Sequence, residues 1–193
     1  MGSGELEEDP RSLRVRAFFG LPVPEPQREE LGRFIATCAQ VAPEFRWTPA
    51  ENLHLTIRFI GSVDRPVVEA VAGALAPRAL AAFDLGLDSL GTFGRGRAIR
   101  VVWLGLGAGA EGAAALAAHV EAECVSAGLP GELRPFQAHL TLARARARDG
   151  ARLPDLPALP QLKPWRAGEL ILYSSRLTKK GSIYEVLESL PLA

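Results

Sequence analysis

A four-residue motif that occurs twice constrains this chain more than any other feature. "HLTI" at residues 54–57 returns as "HLTL" at 139–142, an offset of 85 residues. In each copy histidine and threonine alternate with apolar residues. Side chains on a β-strand alternate between its two faces, so the histidine and threonine share one face and the apolar residues share the other. In the first copy we expect Arg58 to continue the polar face and Phe59 to continue the core-facing one. The chain is therefore predicted to fold from two related halves.

The offset of 85 residues also relates segments outside the motif. Each pair has the same pattern of apolar residues, alternating or continuous in strands and three to four apart in helices. The pairs are the strands 14–21 and 99–106, the helices 26–41 and 111–127, and the strands 83–93 and 168–178. The repeated unit is thus predicted to be strand, helix, strand, strand.

The correspondence breaks between the last two strands of each half. Residues 64–82 have helical spacing, whereas 149–165 form a proline-rich loop. A final hairpin is predicted to run from 170–182 into 183–190, with Lys180-Gly181 near its turn.

These patterns predict an α+β fold with two pseudo-symmetric lobes of largely antiparallel sheet and helices on the outside. A pseudo-twofold arrangement would bring the two motif strands together across a groove and face His54 with His139. We expect a single bilobal domain over residues 14–193 and a disordered N-terminal tail over residues 1–13.

Composition limits the classes of function. The 193 residues are 48% hydrophobic and 23% charged, which is typical of a globular domain. The formal net charge is zero, so nucleic acid could be attracted only by a local basic patch. Two patches are present: Arg95, Arg97 and Arg100, and then Arg144, Arg146, Arg148 and Arg152.

The N-terminus and the cysteines point to a cytoplasmic protein. "MGSGELEEDP" is acidic where a signal peptide would be basic, and no apolar segment follows it. Cys38 and Cys124 are too few and too far apart in sequence for a disulfide framework. We expect neither a membrane span nor an obligate protein partner.

The motif invites two interpretations. Each His-Thr pair could be a structural hydrogen-bonded pair on the face of a sheet. However, the chain has only three histidines, and two of them carry threonine at the same spacing and at the repeat offset. That recurrence favours a shared chemical role. The third, His119, lies in the predicted helix 111–127 without a nearby threonine and is interpreted as a surface residue.

Two histidines and two threonines suit phosphoryl transfer. Imidazole titrates near neutrality, so one ring can act as a base while the other acts as an acid. Threonine hydroxyls can donate hydrogen bonds to phosphate oxygens, whose charge grows in the transition state. The sequence offers no carboxylate cluster of the kind that a two-metal phosphodiesterase needs. The prediction is therefore metal-free chemistry without a cofactor.

Three segments, "WTPAENLHLTIRFIG", "RPFQAHLTLAR" and "SRLTKKGSIYEVL", resemble the two-histidine phosphoesterase superfamily. The resemblance is closest to its bacterial and archaeal RNA 2′,3′-cyclic phosphodiesterases, also called 2′-5′ RNA ligases, and extends from about Arg14 to Leu190. Ala138 departs from the proline that many members have before the second histidine.

The resemblance implies an enzyme that hydrolyses 2′,3′-cyclic phosphates at RNA ends to 2′-phosphomonoesters, with possible reversible 2′-5′ ligation. It implies that His54 is the proton donor, that His139 is the proton acceptor, and that Thr56 and Thr141 bind the phosphate. Three arginines are weaker candidates for RNA contacts. Arg58 has the parity of His54, and Arg97 belongs to a basic cluster. Strict alternation places Arg144 opposite His139, where a salt bridge would explain it equally well.

Other functions stay open at this point. The same fold could act on a small cyclic nucleotide or on an ADP-ribose cyclic phosphate, because the motifs recognise phosphate and not base. It could also be a non-catalytic module that holds an AMP-type ligand, or a ligase that works mainly in the joining direction.

Overall fold

The computed structural model describes residues 14–78, 80–178 and 181–193, which form nine strands, three helices and one 3₁₀ turn. The tail 1–13 and Lys180 lie outside the described residues. In chain order the elements are β1 (Arg14–Pro22), α1 (Glu25–Val41), β2 (Phe45–Trp47), the 3₁₀ turn (Ala50–Asn52), β3 (His54–Asp64), α2 (Arg65–Leu75), β4 (Phe83–Arg95), β5 (Ala98–Ala108), α3 (Ala110–Ser126), β6 (His139–Ala145), β7 (Trp165–Ala167), β8 (Glu169–Thr178) and β9 (Gly181–Pro191).

The strands pair antiparallel in the order β7-β4-β5-β6-β3-β1-β8-β9, and β2 pairs with β6 outside this path. The two motif strands, β3 and β6, are neighbours at the centre. The order is symmetric about them, because β5 flanks β6 as β1 flanks β3, and β4 and β8 follow outside. The α+β prediction with largely antiparallel sheet is thus confirmed.

The third strand of each repeat lies in the other half of the sheet. β4 belongs to the first repeat but pairs with β5 of the second, and β8 of the second repeat pairs with β1 of the first. Each lobe therefore contains strands of both repeats. Neither repeat therefore completes its part of the sheet without a strand of the other.

One apolar core lies on the side of the sheet away from the motif histidines. Leu55 and Leu140, the residues between histidine and threonine, are 1% and 0% exposed. They join the buried faces of all three helices in one cluster. The helix residues recur three to four positions apart, as amphipathic helices require: Leu31, Phe34, Ile35 and Cys38 in α1, Val68, Val71, Ala72 and Leu75 in α2, and Leu116, Val120 and Cys124 in α3.

Most predicted elements are present, with differences at their ends. The helix predicted over 64–82 is wrong at its C-terminus, because α2 ends at Leu75. Pro77 has no N–H to continue the helical hydrogen bonds, and its ring opposes further helix. The segment 149–164 is a loop tied to β5 by one bridge between Ala151 and Ile99, and Trp165, the last residue of the predicted loop, begins β7. The short strands β2 and β7 were not predicted.

The prediction that Phe59 faces the core is also wrong, since its side chain is 42% exposed. In the pairing of β1 with β3, Phe19 faces Arg58 and Gly20 faces Thr56, so Ile57 is an extra residue. Such a bulge shifts the alternation by one position. Arg58 is consequently buried and Phe59 exposed.

The same irregularity recurs in the second repeat. Trp103 faces Thr141 and Val102 faces Ala143, which leaves Leu142 as the extra residue. Leu142 follows Ile57 by 85 positions, so the repeat preserves the bulge as well as the motif.

None of the helices in the described part of the chain combines the length and the apolar character that a membrane crossing requires.

Candidate active site

The two motifs meet where β3 and β6 pair. Leu55 is the partner of Leu140, so His54 comes opposite Thr141, and Thr56 comes opposite His139. The two histidines are diagonal neighbours, a relation that places residues roughly 7–8 Å apart in an antiparallel pair. All four polar side chains lie on the face opposite the buried leucines and are partly exposed. The structure thus brings the four predicted residues together.

A backbone carbonyl orients each histidine. The Nδ1 atom of His54 lies 2.8 Å from the carbonyl oxygen of Asn52, and that of His139 lies 2.8 Å from the carbonyl oxygen of Gln137. A carbonyl can only accept a hydrogen bond, so each Nδ1 carries the proton. In the neutral ring, Nε2 then has the free lone pair. Both histidines are therefore prepared to exchange a proton through Nε2.

Aromatic rings surround His54. Its ring centroid is 4.6 Å from that of Phe18 on β1, 5.2 Å from Tyr184 on β9 and 6.1 Å from Tyr173 on β8. Phe18 in turn stacks on Tyr173 with centroids 5.0 Å apart. This wall restricts the motion of the imidazole and removes water from one side of it.

His139 has a matching wall in the other lobe. Its ring lies 5.3 Å from Phe93 on β4 and 6.1 Å from Trp103 on β5. Trp103 is equivalent to Phe18 in the repeat, since "RVRAFFGL" aligns with "IRVVWLGL". The sequence predicted that alignment, but the position of these rings beside the histidines was not predicted. Aromatic residues at equivalent positions of the two flanking strands were the available signal.

The surroundings of His54 disfavour its charged form. Burial lowers the pKa of His54 below its ordinary value, the carbonyl of Asn52 opposes this, and the nearby guanidinium of Arg144 and imidazole of His139 lower the pKa further. These surroundings therefore favour the neutral imidazole of His54 in the free protein.

Arg58 lies beneath the site, and other protein groups hold its guanidinium. It is 8% exposed. Its Nε donates to Glu121 at 2.5 Å, its Nη1 donates to Glu132 at 2.7 Å, and its Nη2 donates to the carbonyl oxygen of Pro130 at 2.6 Å. These bonds tie β3 to α3 and to the segment before Arg134. The bulge at Ile57 turns Arg58 inward, so its guanidinium is held by these protein groups although the residue lines the cavity beside His139.

Arg144, unlike Arg58, is turned toward solvent. The bulge at Leu142 reverses the alternation, so Arg144 is exposed and borders a cavity with Asn52 and Tyr184, beside His54. The alternation argument for placing it opposite His139 is therefore wrong. Arg97 is exposed at the turn between β4 and β5 and does not line the cavities that adjoin the two histidines.

Carboxylates and thiols do not gather at the site. Within the described ranges, no three His, Cys, Asp or Glu side chains form a group that could hold a metal ion. Both cysteines are buried and unpaired. Glu121 and Glu132 line the cavity beside His139, where both carboxylates bond to the guanidinium of Arg58.

Comparison with known proteins gives the same division into halves. The family model "LigT like Phosphoesterase" matches residues 21–103 and again residues 105–184, so each match contains one motif. This chain belongs to the LigT-like phosphoesterase family. The expectation of a phosphoesterase enzyme with this fold is thereby confirmed.

Individual members of the LigT-like family are similar over most of their length. An RNA 2′,3′-cyclic phosphodiesterase of Aeropyrum pernix is 34% identical over 166 residues, which cover 81% of this chain and 92% of the relative. The crystal structure of a Thermus thermophilus protein superposes with a TM-score of 0.77 at 30% identity, over 92% and 98% of the two chains. Escherichia coli LigT in complex with 3′-AMP superposes with a TM-score of 0.74 at 26% identity, over 93% and 99%.

Proposed function

We propose that this protein hydrolyses 2′,3′-cyclic phosphates at RNA ends to 2′-phosphomonoesters, by acid–base catalysis with two histidines and without a metal ion. The observation that carries the proposal is the meeting of two His-Thr pairs at Leu55 and Leu140. The name of the Aeropyrum pernix relative supports the substrate class, and the LigT complex with 3′-AMP supports a nucleotide site in this fold.

The four side chains suit an in-line displacement at phosphorus. The hydroxyls of Thr56 and Thr141 donate hydrogen bonds to the two non-bridging oxygens of the cyclic phosphate. His139 takes a proton from the attacking water through Nε2. His54 gives a proton to the departing 3′ oxygen, and the P–O3′ bond breaks while the P–O2′ bond remains. The product has a 2′-phosphate and a free 3′ hydroxyl.

His54 must be protonated to act as the donor, although its surroundings in the free protein lower its pKa. The negative charge of a bound cyclic phosphate favours the imidazolium and raises that pKa. Substrate therefore brings His54 toward its active state. The pH dependence of kcat/KM is expected to be bell-shaped, because one histidine must be charged while the other is neutral.

The basic side chains near His54 are suited to bind the RNA strand. Arg144 and Arg46 lie on neighbouring strands, since Arg46 is the β2 partner of Arg144. Both border the cavity beside His54. We assign the strand that carries the cyclic phosphate to this side. Arg97 is retained only as a more distant contact, and Arg58 is given a structural role.

The direct test is incubation in EDTA with an oligonucleotide that ends in a 2′,3′-cyclic phosphate, followed by identification of the product. We expect a 2′-phosphate. Activity that vanishes with the chelator and returns with manganese or zinc would contradict the metal-free mechanism. Turnover of small cyclic nucleotides or of ADP-ribose cyclic phosphate, with none of RNA, would favour the alternative substrates. Binding of AMP without any turnover would favour a nucleotide-binding module.

A further inference from the structure

Three arginines converge near the end of the β4–β5 hairpin. Arg95 belongs to β4, Arg100 to β5 and Arg148 to the turn after β6, and together they line a hollow of about 440 Å³. They are here called the distal cluster, because they lie outside the two cavities that adjoin the histidines. One carboxylate, that of Asp149, also lines the hollow, so three positive charges and one negative charge give it a formal charge of +2.

The backbone after β6 closes this hollow. Ala151 and Ile99 exchange two backbone hydrogen bonds of 2.9 Å, so the turn that carries Arg148 lies against β5. Gly150 has a φ of +97°, and a Cβ atom there would lie 2.8 Å from the carbonyl oxygen of Ile99. Glycine tolerates this conformation, whereas any other residue would be strained and crowded. The fold itself therefore brings the three arginines together.

Arg95 faces the same side of the sheet as the motif histidines. Alternate residues of one strand share a face, so Arg95 lies on the face of Phe93, whose ring centroid is 5.3 Å from that of His139. Ala98, the β5 partner of Arg95, lines the same hollow. The distal cluster therefore lies on the groove side of the sheet, away from the apolar core.

A row of paired residues connects the distal cluster with the cavity beside His54. Arg46 of β2 is the partner of Arg144 of β6, and Arg144 is the partner of Val101 of β5. Paired residues face the same side of a sheet. Arg100 directly precedes Val101 and has no partner in β4, where the register shifts at this point. Positive charge thus extends from Arg46 through Arg144 to the distal cluster.

Protein carboxylates do not neutralise the distal cluster. Within residues 14–78, 80–178 and 181–193, none of its three arginines forms an ion pair. Like charges gathered in a concavity repel one another, and the field they create attracts anions. The whole chain has no net charge, so the cluster is a local concentration of positive charge. A partner that carries several negative charges in a row, such as a phosphodiester backbone, fits it best.

The equivalent positions in the first repeat are apolar. Val15 and Val63 lie 85 positions before Arg100 and Arg148. The two valines are partners in the pairing of β1 with β3, and Val63 is buried. The cationic surface therefore departs from the pseudo-symmetry of the fold at these positions. A strand that follows it leaves the groove in one direction.

We propose that the distal cluster binds phosphates of the RNA strand several nucleotides before its cyclic end. This assignment rests on the proposed function, because it assumes that the cyclic phosphate lies between the two motifs. Arg100 is three residues from Trp103, the partner of Thr141, which is about 10 Å at about 3.3 Å per residue. Stacked nucleotides rise about 3.4 Å each, so the strand reaches the cluster about three nucleotides from its end. The protein thereby selects RNA strands over mononucleotides by charge, without contacts to the bases.

Two RNAs separate the distal contact from the chemistry: a uridine dinucleotide and a uridine octanucleotide, both ending in a 2′,3′-cyclic phosphate. We expect the unmodified protein to prefer the octanucleotide in kcat/KM. Arg100→Gln and Arg148→Gln are each expected to reduce that preference about two- to fivefold, the scale of one exposed ion pair. Arg65→Gln, which removes the same charge from an exposed side chain at the start of α2, is the matched control and is expected to keep the preference.

The salt dependence gives a second measurement. Each phosphate contact on a single strand contributes about −0.7 to the slope of log affinity against log salt concentration. The slope of kcat/KM at subsaturating RNA is therefore expected to be steeper for the octanucleotide than for the dinucleotide. The double variant with Arg100→Gln and Arg148→Gln is expected to lose about 1.4 of that slope on the octanucleotide. A slope equal to that of the unmodified protein would overturn the proposal.

Failure of the distal site and failure of the proposed function give different results. If the unmodified protein hydrolyses both RNAs with the same kcat/KM, only the distal site is overturned. It is also overturned if Arg65→Gln lowers the preference as much as Arg100→Gln, or if Arg100→Gln impairs both RNAs equally.

If the unmodified protein hydrolyses neither RNA, the proposed function fails. Binding of a uridine octanucleotide with a 3′ hydroxyl end, measured by fluorescence anisotropy, then tests the cluster without turnover. Weaker binding by Arg100→Gln than by Arg65→Gln is expected, and equal binding by the two variants would overturn the distal site.

Discussion

Leu55 of β3 lies directly opposite Leu140 of β6, and each is the residue between histidine and threonine in its motif. This pairing places the two motifs side by side at the centre of the sheet. Each histidine then faces the threonine of the other motif. A phosphate between the strands can contact both motifs at once, which neither half could provide alone.

The first prediction concerns the histidines. His54→Ala and His139→Ala are each expected to reduce kcat for cyclic-phosphate hydrolysis about 10²–10⁴-fold, because each removes a general acid or base. His119→Ala is the control. His119 is exposed on α3, and its Nδ1 lies 2.9 Å from the carbonyl oxygen of Ala115. If His119→Ala were as damaging as the motif variants while the fold stayed intact, the repeat would not mark the catalytic groups.

A second prediction follows from the charge of Arg144. Its guanidinium disfavours the imidazolium of His54, so Arg144→Gln is expected to raise the pKa of His54 toward its ordinary value. Proton NMR titration of the His54 ring, without phosphate in the buffer, measures this shift. Arg100→Gln, a basic residue outside both cavities, is the matched control. An unchanged or lowered His54 pKa in Arg144→Gln would remove Arg144 from the electrostatics of the groove.

Gly91 allows a third test. It is the β4 partner of Trp103, and a Cβ atom at this position would overlap the indole ring. Gly91→Ala is expected to displace Trp103 from beside His139 and to cost about 1–3 kcal/mol of unfolding free energy. Gly73→Ala in α2, where the added Cβ would meet no atom within 4 Å, is expected instead to stabilise by about 0.5–1 kcal/mol. Urea unfolding of both variants checks the contrast, and equal stabilities would refute the close packing at Gly91.

The fourth prediction separates structure from RNA binding at Arg58. Arg58→Met removes the ion pairs to Glu121 and Glu132, whose side chains are 29% and 50% exposed. Removing one partner of a buried ion pair costs about 3–5 kcal/mol, and these partly exposed carboxylates place the expected loss near the lower end. Chemical denaturation measures it. Unchanged stability together with a raised KM for RNA would instead indicate that Arg58 binds the substrate.

The motif predicted as much of the site as it did because its geometry is local. A period of two is enough to put His54 with Thr56 and to bury Leu55, and the repeat offset transfers the same relation to the second motif. Alternation then failed at Arg58, Phe59 and Arg144 because bulges depend on the pairing between strands, and no residue in either strand signals an extra position. The errors at Arg58 and Phe59 in β3 and at Arg144 in β6 have the same cause, because the repeat places a bulge at the equivalent position of both strands.

Features set by distant contacts were not predictable in the same way. The exchange of β4 and β8 between the halves depends on which sheet edges meet, and the apolar pattern of those strands is compatible with either pairing. The end of α2 could have been predicted, because Pro77 lies two positions after its last residue, Leu75. The aromatic walls of the two histidines come from five strands, and only Phe18 and Trp103 were connected by the repeat.

The division of roles between the histidines is tested most directly by a substrate whose 3′ bridging oxygen is replaced by sulfur. A thiolate departs without needing a proton, so the general acid becomes dispensable while the general base does not. Rates of 2′,3′-cyclic phosphate hydrolysis are compared with the oxygen substrate for His54→Ala and His139→Ala. We expect His54→Ala to recover most of its lost rate on the sulfur substrate and His139→Ala to remain impaired. Recovery by His139→Ala instead, or by neither variant, would contradict the assignment of His54 as the proton donor to O3′.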